Sequence, residues 1–445
     1  MLVLRVGQRR HCRCCMNYVI SFLWVILVIP CVAAAWTRPS TGGDDLRARQ
    51  EPLNFAEKTF VDAVDGQDGI QTVLVVSNDG HPDHFVSVQA AVDAVPMWNY
   101  VRWVIFIKPG VYYGPVIVPE GKDYITFLGE SAESTILTFN RKACDKKPDG
   151  SDYTILDCPT VIVEASNFIA KGITFENSSP KPGDFDYNSQ APAVRVSGDK
   201  CAFYDCIFLG WQDTLYADQG KHYYKDSRIE GNVDFILGYA SAVFENCTIH
   251  SRGEGFITAQ SRWCEDDCQE ASNSTFITPN STFVILRSNI TGYDPATYNS
   301  TGTGLTYLGR PWREYAKVVF IDTTLGEHIA PEGWVDWVTD SGPLFAHDNV
   351  YFGEFNSSGP GASESSRIDW SHQLTPEEAQ VYRDVEAFLD TKNWVEHPLS
   401  VEQLKGSHLL NEQNWATPAA PQRGYRDKKF PPRRWKRLGA KNGMP

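Results

Sequence analysis

Three segments of this chain repeat one short pattern at nearly constant spacing. Phe203-Tyr204-Asp205-Cys206-Ile207-Phe208 returns as Tyr224-Lys225-Asp226-Ser227-Arg228-Ile229, and again as Phe244-Glu245-Asn246-Cys247-Thr248-Ile249. The pattern is aromatic, any residue, Asp or Asn, Cys or Ser, any residue, apolar. The steps between the Cys/Ser positions are 21 and then 20 residues. Fainter copies stand at Ile285–Ile290 and Phe320–Leu325. A unit this short cannot bury its own inward face, so successive units must stack and share one interior. Short strands and polar turns at this period predict an all-β solenoid, a parallel β-helix, with Cys206, Ser227 and Cys247 in a ladder inside. A β-sandwich with chance spacing is the competing reading. Short helices are expected at the ends. Val86–Val95 has helical apolar spacing and stops at Pro96, and Thr375-Pro376 offers an N-cap followed by proline at the first helical position.

The repeat frame also sets two carboxylates in register. Asp213 lies seven residues after Cys206, and Asp234 seven after Ser227. Stacked strands are about 4.8 Å apart, so the two side chains are expected to be neighbours on one face. Two adjacent carboxyls do not both ionise cheaply, which supplies an acid and a base, or an acid and a nucleophile, at one place. Solvated turn residues or a calcium site are the blander alternatives. Gln212 before Asp213 brings an amide donor, and Arg310 in Gly309-Arg310-Pro311-Trp312-Arg313 offers a cation.

Composition narrows the setting. A net charge of −14 argues against a nucleic-acid partner. Residues 1–35 read as a signal peptide, with arginines, an apolar run over 19–29, Pro30 and a small-residue cleavage site at Ala33-Ala34-Ala35. An uncleaved membrane anchor over 18–35 is the rival. Seven Asn-X-Ser/Thr sequons, at Asn177, Asn246, Asn273, Asn280, Asn289, Asn299 and Asn356, favour a secreted glycoprotein. Asn246 falls inside a strand-like run, where no glycan is expected to fit. Seven cysteines follow the signal, an odd number, with Cys264 and Cys268 placed for a local disulfide. A zinc site there would lack histidine partners. Residues 36–70 read as a linker, 71–396 as the catalytic domain, and 397–445 as an extension ending in a basic tail that includes Arg433, Arg434, Lys436 and Arg437. That tail is a solubilising segment or an electrostatic anchor.

The motifs together resemble the plant-type pectin methylesterases. They are Gln190-Ala191-Pro192-Ala193-Val194-Arg195, Gly210–Tyr216, Gly231–Gly238, Gly255–Arg262 and Leu308–Trp312, in that order, and the resemblance runs from Val73 to Trp394. It implies a right-handed parallel β-helix and hydrolysis of methyl esters of polygalacturonate to pectate and methanol. It assigns Asp234 as nucleophile, Asp213 as general acid and then base, and Gln212 and Gln190 as oxyanion donors. Arg310 would hold Asp234, Trp312 would pack on a sugar ring, and Tyr216 and Phe235 would line the substrate site. No metal or other cofactor is implied. The partners implied are methyl-esterified homogalacturonan and a proteinaceous pectinesterase inhibitor. The protein is expected to act as a monomer in the cell wall, without stable membrane association once the signal is cleaved.

The chain departs from that pattern in places. Gly110-Val111-Tyr112-Tyr113-Gly114 stands where many members carry Gly-X-Tyr-X-Glu. Ser227 replaces a cysteine that in many plant members pairs with the position of Cys206. Leu237 and Tyr239 replace commoner residues beside the site. No inhibitory pro-domain is expected, since the motifs begin soon after the signal. A pectate lyase or a polygalacturonase on the same scaffold would need an acidic calcium cluster with an arginine base, or Gly-His-Gly and Arg-Ile-Lys motifs. A wall-binding protein without turnover is a third reading.

Overall fold

The computed structural model describes residues 70–183, 189–263, 280–293, 305–339, 342–343, 347–395 and 400–406. The stretches read as signal and linker up to residue 69, the basic tail, Cys264, Cys268 and the sequons at Asn273 and Asn299 lie outside the described residues.

One coil shows the architecture. Cys201–Tyr204 runs in a first sheet, Ile207–Leu209 in a second and Leu215–Ala217 in a third, and Lys221–Lys225 then returns to the first beside Cys201–Tyr204. Repetition builds three parallel sheets of 11, 8 and 7 strands. The fold is an all-β, right-handed parallel β-helix, the hand that parallel crossovers favour.

The repeat pattern has a physical reason at each position. Its Asp/Asn member turns the chain from the first sheet into the second in the left-handed region, with φ of 50° at Asp205, 53° at Asp226 and 52° at Asn246. Asp and Asn tolerate that conformation better than most residues. The fainter copies turn in the same way at Arg287 (48°) and Asp322 (53°). The aromatic member points inward and stacks. The rings of Phe203 and Tyr224 are 5.0 Å apart, and those of Tyr224 and Phe244 are 4.7 Å apart and nearly parallel. The small member forms the expected internal ladder and adds hydrogen bonds. Cys206 N–H donates to Ser227 Oγ at 3.1 Å, and Cys247 N–H donates to Ser288 Oγ at 3.0 Å. Ser227 thus ties the neighbouring coil without a covalent bond, and Cys206 is a free thiol.

Helix Val88–Ala94 begins at Ser87, whose side chain accepts from Ala90 N–H, and inserts Val88, Ala91 and Val92 into the interior at the first coils. Helix Pro376–Arg383 opens with a capping box between Thr375 and Glu378. It does not close an end. With Val385–Leu389 it lies on the outer face of the first sheet, packing Ala379, Tyr382 and Leu389 on Tyr204, Tyr223, Val319 and Ile321. Alternation along the strands explains this, since every second residue of that sheet faces outward and Tyr204, Tyr223, Val319 and Ile321 among these are apolar. Residues 401–406, which the sequence places in the extension, form a helix whose Val401 and Leu404 cover Val73, Val75 and Phe106 on the outside of the first coils.

Of the sequons among the described residues, two bear on the sequence reading. Asn246 is exposed at a turn between strands rather than inside one, which corrects the reading that a glycan cannot fit there. The left-handed turn is what breaks the strand-like run. Asn177 is buried, and its amide donates to the carbonyls of Arg141 and Pro192.

Candidate active site

The carboxylates occupy the turn between the second and third sheets. Leu215 pairs with Ile236, so Asp213 and Asp234 sit two residues before equivalent strand positions. Asp213 N–H donates to the Val233 carbonyl at 3.0 Å, fastening one turn to the next. Both aspartates are in the left-handed region, at φ 64° and 50°, and both are 4% exposed. Gly231 makes the second turn possible, because a Cβ there would lie 2.2 Å from the Cβ of Phe235.

Arg310 reaches this pair from two coils further on. Its N–H donates to the Thr258 carbonyl at 3.0 Å. Its guanidinium then grips Asp234 with two bonds, Nε to Oδ1 at 2.9 Å and Nη2 to Oδ2 at 2.6 Å. A planar fork on a carboxylate fixes both partners in orientation. Phe256 and Trp337 hold the guanidinium from either side, their ring centres 3.9 and 4.0 Å from Cζ. Sequence reasoning missed both of these clamps.

The pair is therefore electrostatically unequal. Burial and the charge of Asp234 push the Asp213 carboxyl well above the usual carboxylate range, against the opposing pull of Arg310. Asp213 has no hydrogen-bonded cation of its own among the described residues, whereas Asp234 is ion-paired. Two successive turns thus present a carboxyl of raised proton affinity beside an ion-paired carboxylate.

The remaining candidates divide. Ala191 N–H donates to the Gln212 carbonyl at 3.1 Å, so Gln190 and Gln212 are brought to adjacent coils at the same edge, both partly exposed. Tyr216, Leu237 and Ala259 form a small apolar patch on the outside of the third sheet. Trp312, Trp337, Ile155 and Leu156 pack against it. The rings of Tyr216 and Trp312 are 6.2 Å apart. Leu237 is part of that patch, which makes it a neighbour of the site as its sequence position suggests. Phe235 is different. It is 0% exposed inside the helix core, so the structure does not bring it to the substrate side. Asp234 faces out of the turn and the next side chain is turned in. Among the described residues, no three His, Cys, Asp or Glu side chains are grouped to hold a metal ion.

A coiled β-scaffold carrying a buried Asp pair, an arginine fork on one member and amide donors alongside defines a hydrolase-type carboxylate site. Comparison with known proteins makes this specific. The family model described as Pectinesterase matches residues 73–392. Pectinesterase 31 of Arabidopsis thaliana is 43% identical over 308 residues, covering 68% of this chain and 88% of that one. Pectinesterase QRT1 of the same plant is 36% identical over 328 residues, covering 73% and 79%. Among solved structures, pectin methylesterase from carrot aligns with a TM-score of 0.62 at 33% identity, covering 76% of this chain and 99% of that one. A pectin methylesterase in complex with a hexasaccharide aligns with a TM-score of 0.59 at 26% identity, over 73% and 98%. The chain belongs to the pectinesterase family and is a carboxylic ester hydrolase of the pectin methylesterase type.

Proposed function

We propose that the chain demethylates homogalacturonan in the plant cell wall through an Asp234 nucleophile, with Asp213 as acid and then base. The observation that carries this reading is the asymmetry of the pair. Arg310 forks onto Asp234 alone, while burial and the Asp234 charge raise the Asp213 carboxyl and favour its protonated form. The Asp234 carboxylate attacks the ester carbonyl, and the developing oxyanion is met by the amides of Gln212 and Gln190. The tetrahedral species collapses as the C–O bond to methoxide breaks, and the proton of Asp213 leaves with it as methanol. The acyl anhydride on Asp234 is then opened by water. Asp213, now a carboxylate, takes one proton from that water, restoring itself and freeing Asp234. Trp312, backed by the buried Tyr216–Leu237 patch on which it packs, supplies an apolar surface for the sugar face beside the reacting ester. Secretion to the wall follows the family's plant members and the signal-like residues 1–35.

The test is methanol release from highly methyl-esterified pectin by the secreted protein and its Asp234→Asn variant. Release by the first and its loss in the second supports the assignment. Equal release by both would remove Asp234 as nucleophile. No methanol from either, with a folded protein, would indicate a binding role on this scaffold.

A further inference from the structure

We propose that residues 52–64 of this chain dock on the exposed aromatic loop Met97–Val101 and close the N-terminal end of the solenoid. Eight of the eleven large apolar side chains that stand exposed among the described residues fall between Val86 and Ile117. This is the end where the three sheets begin, with Ile70–Val76, Gly110–Tyr113 and Val116–Val118 as their first strands. Met97, Trp98, Tyr100 and Val101 make one nearly unbroken run, with Trp98 68% and Tyr100 84% exposed. Single exposed apolar residues are ordinary, but a contiguous patch marks a surface that something covers.

The loop is pinned rather than a loose tip. Trp98 N–H donates to the Gly121 carbonyl at 2.6 Å while its backbone sits in the left-handed region, at φ 60°. That conformation is costly for a bulky residue and persists only where the surroundings impose it. Asn99 is buried, its amide donating to the Asp123 carbonyl at 2.6 Å and its oxygen accepting from Val101 N–H at 3.1 Å. Met97 and Trp98 rest on Gly121, where a Cβ would come within 3.1 Å of the Met97 methyl and 3.3 Å of the indole. Trp98 and Tyr100 are thus presented to solvent in a set geometry. Side chains already held in place lose little freedom when they are covered.

The chain itself supplies the occupant. The described residues begin at Ile70, which pairs in parallel with Arg102, so the chain before it arrives beside Val101 and Tyr100. Asp65-Gly66-Gln67-Asp68-Gly69 leads into Ile70, and residues 52–64 precede that link. Leu53, Ala56, Phe60, Ala63 and Val64 follow helical spacing on one face, with Asn54, Lys58 and Asp62 opposite. Pro52 suits a first helical turn and Gly66 a stop. A helix over 52–64 would span about 20 Å, and the link over 65–69 reaches at most about 18 Å. The run can therefore turn back and lay its apolar stripe, with Phe60 near the middle, across Trp98 and Tyr100. Solenoids need terminal segments with a polar outer face to stay soluble, and this stripe and its opposite face provide one. A segment on so short a link competes at an effective concentration on the order of millimolar, well above that of a second copy of the chain.

The test is hydrogen exchange on the full chain, followed peptide by peptide, for the wild type and for Phe60→Asp and Trp98→Asp. An isolated helix this short is marginal in water, so slow exchange reports docking. Amides of residues 53–64 should exchange at least about tenfold more slowly than in a free peptide of the same sequence, and either substitution should abolish that protection. Exchange at the free-peptide rate in the wild type would overturn the proposal. Protection retained in either folded variant would place the segment away from this loop and overturn it as well. Protection that grows with protein concentration, alongside a dimer in light scattering, would assign the loop to a second copy instead. Phe60 lies outside the coils, so its variant decides should Trp98→Asp fail to fold.

Discussion

Replacing Asp213 by Asn separates two consequences of burying one carboxyl beside another. The side chain keeps its size and loses its proton chemistry. A positioned acid or base contributes about 10²–10⁴ in rate, so methanol release should fall by that factor at the pH where the wild type works best. Stability should move the other way. Asp213 is held above its ordinary value by burial and by Asp234. A carboxyl with a raised folded value binds its proton more tightly when folded than in the unfolded chain, where the value is near 4. Its contribution is therefore most favourable below about pH 4 and is lost as pH rises through the window up to the raised folded value. The loss is at most about 1.4 kcal/mol for each pH unit of that window. Asn has no such window. Urea unfolding at a series of pH values should show the wild type losing stability above about pH 4 relative to Asp213→Asn, with the gap constant once the folded group has ionised. The reasoning fails if the variant keeps more than a tenth of the activity, or if the two proteins share one pH slope.

Two further outcomes are expected. Arg310→Leu leaves Asp234 buried without its fork, so urea unfolding should show a loss of about 3–5 kcal/mol, and the double variant with Asp234→Asn should recover much of it without recovering methanol release. Peptide mapping of the protein expressed through a eukaryotic secretory pathway should find glycans at exposed Asn246 and Asn356 and none at Asn177, which is buried with its amide bonded to two carbonyls inside the fold. An occupied Asn177 would contradict the packing described around it.

Much of this was legible because the repeat reports geometry directly. Equal offsets from Cys206 and Ser227 placed Asp213 and Asp234 on successive coils, and stacking then made them neighbours. Arg310 was legible from its motif, but its clamps were not. Phe256 and Trp337 lie far from it in sequence and meet it only after the later coils stack, and an isolated aromatic gives no sign of which cation it will face. Phe235 misled for a related reason. Adjacency to Asp234 suggested a shared face, while the turn at φ 50° sends the following side chain into the core. The outer helices were legible as helices but not in position. Their docking depends on the apolar outward face of the first sheet, built from residues scattered over several coils.

The turns that carry the repeat also determine where this chain can change length. From the first sheet to the second the connection keeps one length from the repeat onward, passing from Tyr204 to Ile207, Lys225 to Arg228, Glu245 to Thr248, Leu286 to Asn289 and Ile321 to Thr324, and it is longer only in an early coil, from Gly129 to Thr135. From the third sheet back to the first it ranges from Gly238–Ser241 to Gln260–Phe283. One edge therefore works as a spine that keeps the coils in phase, and another is free to gain or lose sequence. A residue inserted between Asp205 and Cys206 would slip Asp213 against Asp234 and dismantle the pair. Many residues added between Gln260 and Phe283 would remodel the rim and leave the phase untouched. Descendants of such a chain can diversify what they grasp without having to rediscover how to cut it.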